Sequence, residues 1–118
     1  MADSRQTRLI EYLLTLSRKR ELEWKEAVFP DAFETSFPSY SLLIGTEEGR
    51  NGTDYYIFIV GANGEIVDRF TDVDISQSSE GFDAFSKMRE IHDSARRIAK
   101  GADKALDEIL GELEKKDV

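Results

Sequence analysis

The segment Asp54–Val60 constrains the fold more than any other, because the six residues from Tyr55 onward are all aromatic or β-branched. Residues of both kinds favour β-strands. Successive side chains of a strand point to opposite faces of a sheet, so Tyr55 begins one apolar face while Tyr56, Phe58 and Val60 form the other. A strand that is apolar on both faces belongs at the centre of a sheet that is covered on both sides.

The region before this strand predicts an antiparallel hairpin. From Asp31 onward the apolar residues recur with a period of two, which is typical of a half-buried strand. A tight turn at Pro38 and Ser39 would bring the large apolar side chains to one face, with the opposed pairs Phe33–Ile44, Thr35–Leu42 and Phe37–Tyr40.

Three further segments complete the predicted sheet. Asn63-Gly64 supplies the left-handed conformations of a tight hairpin, so Glu65–Thr71 is predicted to return antiparallel to the central strand. The glycine-rich, charged segment Gly45–Thr53 predicts a loop. Alternating apolar residues indicate a short strand within Glu21–Ala27. Together these elements make an antiparallel meander of four or five strands.

Helical periodicity occurs on both sides of this sheet. Residues 4–20 place leucines three and four apart, which predicts an N-terminal helix. A second pattern runs from about Glu80 to Lys115 and predicts a long C-terminal helix packed on one face of the sheet. Such a helix would be about 50 Å long, whereas four strands are about 20 Å wide. It therefore either bends, with Gly101 and Gly111 as candidate positions, or overhangs the sheet and needs a partner for Leu106, Ile109, Leu110 and Leu113.

The length of 118 residues suits one domain, so the predicted fold is a single α+β domain spanning residues 1–118. The absence of cysteine excludes disulfides, thiolate nucleophiles and cysteine-ligated metals. No apolar run reaches the roughly 18 residues of a membrane span, and the first eight residues are polar, unlike a signal peptide. We therefore expect a cytoplasmic protein.

The charge of the chain argues against two classes of partner. The net charge is −8, and residues 21–82 carry three basic against thirteen acidic side chains. Nucleic acids and anionic lipids bind surfaces where Lys and Arg cluster. Double-stranded RNA-binding domains share the order of helix, strands and helix, but their second helix begins with basic residues, whereas this one begins with Glu80 and Asp83. We expect neither nucleic acid nor a membrane as a partner.

Two groups of polar residues are candidates for reactive or metal sites. His92, the only histidine, has no serine or threonine that stands out as its nucleophile, so we interpret it as solvated or packed against the flank of the helix. Asp72, Asp74 and Asp83 have the spacing of calcium-loop ligands, but Gln77 stands where that loop requires glycine. Strand exit and helix capping explain these aspartates as well. We expect no catalytic residue, metal or cofactor.

Several motifs together resemble a small bacterial domain with no assigned function. A leucine-rich helix and basic turn precede a Leu-x-Trp step, here Leu22 and Trp24. A meander with an Asn-Gly hairpin follows. The long helix then carries the pair Ala95-Arg96 and an Asp-x-Ala-Leu-Asp-x-Ile-Leu run at residues 103–110. The loop before the central strand is longer than usual for the family. The resemblance implies the fold and a bacterial origin, and it carries no catalytic residue.

Three hypotheses of function follow from these features. The first is a non-enzymatic protein-interaction module, a homodimer with interface candidates on the second sheet face and the long helix: Tyr56, Phe58, Val60, Leu106, Ile109, Leu110 and Leu113. The second is a sensor of a small molecule or anion, with a pocket between sheet and helix lined by Trp24, Tyr40, Tyr55 and Tyr56 and anchored by Arg96. The third is an acidic inhibitor that mimics nucleic acid.

Overall fold

A computed structural model describes residues 4–117. The elements, in chain order, are α1 (Ser4–Arg18), β1 (Lys25–Glu26), β2 (Phe33–Ser36), β3 (Tyr40–Gly49), β4 (Gly52–Gly61), β5 (Ile66–Thr71), α2 (Asp72–Ser78), α3 (Ala84–Lys100) and α4 (Ala102–Lys116). The strands form one antiparallel sheet in the order β1-β2-β3-β4-β5. The predicted α+β fold with an antiparallel meander is therefore confirmed, with five strands.

The register of the sheet follows the sequence pattern. Phe33 lies opposite Ile44, as predicted. The turn after β2 closes with a hydrogen bond of 2.8 Å from the Phe37 N–H to the Tyr40 carbonyl. The hairpin between β4 and β5 closes at Gly64, whose φ of 84° is a left-handed conformation that glycine adopts without steric cost. The two predicted turns thus set the register of the strands that flank them.

The helices α2 and α3 pack against one face of the sheet, and α1 packs against α3. The two longer helices bury residues spaced three and four apart, namely Ile10, Leu13 and Leu14 on α1 and Met88, Ile91 and Ala95 on α3. They form a single cluster with the inward residues of the strands, which include Phe33, Leu42, Ile44, Ile57 and Phe70. Burial of each large side chain contributes about 1.5–3 kcal/mol to stability, so this layer holds the main core.

The predicted loop at Gly45–Thr53 is wrong. The strands β3 and β4 continue through it and pair up to Gly49 opposite Gly52, which leaves a two-residue turn. Gly45 instead makes room for a side chain of the paired strand. A Cβ on Gly45 would lie 2.3 Å from the hydroxyl of Tyr56, so only glycine leaves room for that ring. The sequence misled because a glycine that makes space across a sheet looks the same as a glycine in a loop.

The C-terminal helical region is interrupted, which is one of the two alternatives that the sequence left open. The chain forms α2 directly after β5, and α3 begins at Ala84 instead of near Glu80. The helix then ends at Gly101, which adopts φ 66°, while Gly111 lies within α4. The bend and the overhang therefore both occur. No helix within residues 4–117 is long and apolar enough to cross a membrane.

Candidate interaction surfaces

The helix α4 exposes an apolar face. It has no buried residue, in contrast to α3. Four of its side chains share one face at helical spacings of three and four and are each more than half exposed: Leu106, Ile109, Leu110 and Leu113. We call these four residues the α4 stripe. Large contiguous apolar patches on a surface commonly mark contacts with another molecule, so the stripe is the first candidate surface.

The direction of α4 is fixed at its first turn. Its Asp103 carboxylate accepts hydrogen bonds from Arg20, just after α1, and from Arg97 on α3. These two hydrogen bonds, that of Arg20 foremost, hold the pKa of Asp103 below its usual value. The backbone N–H of Gly101 also donates to the carbonyls of Arg97 and Ile98. The α4 stripe therefore begins beside a bend that is hydrogen-bonded to α3 and to the segment after α1.

The second face of the sheet, away from the helices, is largely covered by the chain itself. Tyr56 is only 6% exposed, and its ring centroid lies 4.4 Å from that of Phe58. Phe29, from the loop between β1 and β2, meets Phe58 edge-on at 6.2 Å. The guanidinium of Arg69 lies over the same ring. Phe58 and Val60 remain half-buried, so this face offers a partner less apolar surface than the α4 stripe.

The predicted ligand residues lie in different parts of the molecule. Trp24 and Tyr55 belong to the core on the helix side of the sheet, whereas Tyr56 lies on the opposite face, next to Gly45. Tyr40 is half exposed, and Arg96 is exposed on α3. Burial raises the pKa of Tyr55 and of Tyr56. The described chain therefore does not assemble these side chains into one pocket.

His92 is buried, so of the two alternatives the solvated residue is wrong and the packed residue agrees with the structure. It is 4% exposed. Its ring lies 5.3 Å from the ring of Phe33 and 5.5 Å from that of Tyr55. Nε2 lies 2.8 Å from the carbonyl oxygen of Asp31. A carbonyl only accepts, so Nε2 carries the proton. The imidazole thereby attaches the loop between β1 and β2 to α3, which is a structural role.

The aspartates of the calcium-like spacing act on the backbone. Asp74 forms a capping box with Thr71 at the start of α2, and Asp83 accepts from the Ser86 N–H at the start of α3. The capping interpretation is confirmed for these two residues. Asp72 is buried and accepts from the Tyr55 N–H at 2.7 Å. Within residues 4–117 no three acidic or histidine side chains converge as metal ligands.

The edge of the sheet at β2 is a surface that the sequence did not reveal. The strand β1 has two residues and pairs only with Phe33 and Glu34. On the N-terminal side of Lys25 the chain leaves β2, and a groove of about 530 Å³ opens between residues 21–25 and 34–37. Leu22 and Trp24 alternate like strand residues, but Trp24 is drawn into the helix-side core. The packing of Trp24 in the core accompanies the end of β1 at Lys25. The local sequence contains no signal for this end.

Comparison of the chain with protein-family models, with curated proteins and with solved structures finds no match.

Proposed function

We propose that the protein is a non-enzymatic protein-interaction module that forms a homodimer by pairing α4 with α4 of a second copy. The observation that carries this proposal is the α4 stripe, whose four large apolar side chains are more than half exposed on a helix with no buried residue. Water contact with apolar surface of this size is unfavourable by about 25 cal/mol per Å². Contact with a second apolar surface removes part of this unfavourable free energy.

The spacing of the stripe suits a second copy. Leu106 and Leu113 lie at equal distances along the chain from the midpoint between Ile109 and Leu110. In an antiparallel pair of α4 helices, Leu106 of one copy therefore meets Leu113 of the other, and the central residues meet each other. An interface that matches itself in this way is what two-fold symmetry requires. Leu106 and Leu113 are also seven residues apart, or 3.5 residues for each of two helical turns, which suits side-by-side helix packing.

The size of the stripe implies a reversible dimer. The 15 residues of α4 extend about 22 Å at 1.5 Å per residue. Stable interfaces bury about 800 Å² on each partner, which is more than four half-exposed side chains supply. We therefore expect a dissociation constant in the micromolar range, with monomer and dimer in exchange.

Sedimentation velocity over about 1–200 µM protein tests this proposal. The wild type is expected to shift from monomer to dimer across the series, and Leu110→Glu, which places a charge at the centre of the stripe, is expected to remain monomeric. Val28→Ser is the matched control, since Val28 is 91% exposed and lies outside α4, and it should dimerise like the wild type. A wild type that remains monomeric at the highest concentration would contradict the homodimer. The α4 stripe would then be a candidate surface for a different protein.

The other two hypotheses have less support. A sensor pocket would need the aromatic candidates on one side of the sheet, but Tyr55 and Tyr56 point to opposite faces. A nucleic-acid mimic needs acidic side chains at the surface, and all the acidic side chains of residues 21–82 except Asp72 are exposed or half-buried, so this hypothesis is supported by charge alone.

A further inference from the structure

The two edges of the sheet differ in whether another strand can pair with them. Along β5, the Arg69 N–H donates to the carboxylate of Asp68 at 2.9 Å, and the Thr71 N–H donates to Asp74 at 3.0 Å. A register shift also interrupts the pairing of β4 with β5 beside Val60. Capped donors and irregular pairing both hinder the addition of a strand, so the β5 edge is closed.

The other edge is open at Ser36. The N–H of Ala32 donates to Phe29, and its carbonyl accepts from Ala27, so Ala32 directs both groups toward the β1 side. Phe37 directs its N–H toward Tyr40, on the β3 side. Backbone directions alternate along an antiparallel strand, so Ser36, like Ala32, faces the β1 side.

At Ser36, however, β1 has already ended. The residue that would continue the register of Lys25 opposite Glu34 is Glu23, opposite Ser36. No backbone hydrogen bond joins Glu23 to Ser36 in the described chain. The N–H and the carbonyl of Ser36 therefore face the groove as a free strand edge.

The walls of the groove are acidic and aromatic. The carboxylates of Glu21, Glu23 and Glu34 line it together with one cation, Lys25. Lys25 lies 3.6 Å from Glu34, which leaves the other two carboxylates without a cation in the groove. Phe37 and Trp24 supply apolar surface, and the buried indole N–H of Trp24 has no hydrogen-bond partner in the described chain.

We propose that this groove binds an extended, basic segment of a partner protein by adding it as a strand to β2. The residue opposite Ser36 donates its N–H to the Ser36 carbonyl and accepts from the Ser36 N–H. Its side chain lies on the same face as Glu34, two residues before Ser36, which favours Lys or Arg there. Its two neighbours point toward the side of Phe37, which favours apolar residues. The preferred segment alternates apolar and basic residues.

Addition of a strand takes affinity from the backbone and specificity from alternate side chains. This proposal does not rest on pairing of α4, since none of the groove residues lies in α4. The two proposals can therefore fail separately.

Fluorescence provides the test, because Trp24 is the only tryptophan of the chain and lines the groove. The probe is the acetylated and amidated peptide Val-Lys-Val-Lys-Val, titrated into the full-length protein. Saturable binding is expected. The same peptide with both lysine amides N-methylated keeps its charge but loses the paired N–H, and it should bind at least tenfold more weakly. Val-Glu-Val-Glu-Val should not bind.

A pair of variants locates the contact. Ser36→Pro removes the outward N–H at an edge position where proline is tolerated and should weaken binding of the lysine peptide at least tenfold. Ser36→Ala keeps that N–H and should bind like the wild type. Equal binding of the N-methylated peptide, or equal loss in both variants, would overturn the proposal. If Ser36→Pro does not fold, titration of the wild type with the N-methylated peptide still tests the proposal.

Another occupant of the groove, a second copy of the chain, is an outcome of the same measurement. A Trp24 signal that changes with the concentration of Leu110→Glu, which does not pair through α4, in the absence of peptide would assign the edge to a second copy and overturn the proposal. Absence of a saturable signal with the lysine peptide at millimolar concentration would also overturn it.

Discussion

Asp72 illustrates how a single buried carboxylate joins two elements of this fold. It is 5% exposed and lies at the start of α2. Its Oδ1 accepts from the backbone N–H of Tyr55, on the central strand β4, at 2.7 Å. A buried donor that loses its acceptor costs about 1–3 kcal/mol. The side chain therefore stabilises the contact between α2 and the sheet through its oxygen, whereas its negative charge is disfavoured by burial.

Two substitutions of Asp72 should distinguish the contribution of its hydrogen-bonding oxygen to stability from that of its negative charge. Asp72→Ala leaves the Tyr55 N–H unpaired and is expected to lower the free energy of unfolding by about 2 kcal/mol. Asp72→Asn keeps an oxygen acceptor and should cost much less. Urea unfolding at pH 7 measures both changes. Equal losses in the two variants would show that the hydrogen bond to Tyr55 contributes little.

The same residue predicts a pH dependence. Burial raises the pKa of Asp72 above its ordinary value of 3.8, so the folded state binds this proton more tightly than the unfolded state does. Stability gained from such a group increases as pH falls through the raised pKa. The free energy of unfolding of the wild type, minus that of Asp72→Asn, should therefore increase from pH 7 toward pH 4. A decrease over that range would contradict the raised pKa.

Residues whose roles are local could be predicted from the sequence, and residues whose roles depend on distant contacts could not. Asp74 and Asp83 cap helices through N–H groups three residues away, which is a pattern visible in the chain. The burial of His92 depends on a carbonyl 61 residues away. Ser36 is open only because Trp24 packs into the core.

At the scale of elements, α3 and α4 are separated by one residue with a left-handed backbone. The helical periodicity runs through Gly101 and Gly111 alike, so the sequence could identify both as candidate bends but could not choose between them. In the structure the bend lies at Gly101, two residues before Asp103, which accepts from Arg20 across 83 residues of chain. The exposure of α4 follows, because the helix leaves the sheet at this bend and has nothing to pack against further along.

Replacement of each glycine by alanine should have opposite effects. A Cβ at either position meets nothing within 4 Å, so backbone conformation alone decides the outcome. Gly101→Ala places alanine at φ 66° and should destabilise the bend by about 1–2 kcal/mol. Gly111→Ala removes a glycine from a helix interior and should stabilise α4 by about 1 kcal/mol. Amide hydrogen exchange across α4 measures both. Effects of the same sign would contradict the assignment of the bend to Gly101.

At the scale of the whole molecule, the two proposed surfaces have opposite electrostatics. The chain has a net charge of −8, so two copies repel each other when α4 pairs with α4, and the attraction between them is apolar. The groove at β2 instead attracts a basic segment through its glutamates. Salt screens repulsion and attraction equally, since the Debye length falls from about 10 Å at 0.1 M to about 3 Å at 1 M.

Raising NaCl from 0.1 M to 1 M should therefore shift the two equilibria in opposite directions. Sedimentation should show a dimer dissociation constant that falls a few-fold, because screening relieves the repulsion between two acidic copies. Fluorescence titration of Leu110→Glu, chosen so that dimerisation does not interfere, should show peptide binding weakened several-fold. Weaker dimerisation at high salt would mean that charged contacts, and not the α4 stripe, hold the copies together. Peptide binding that is unchanged by salt would mean that the groove glutamates do not select a basic partner.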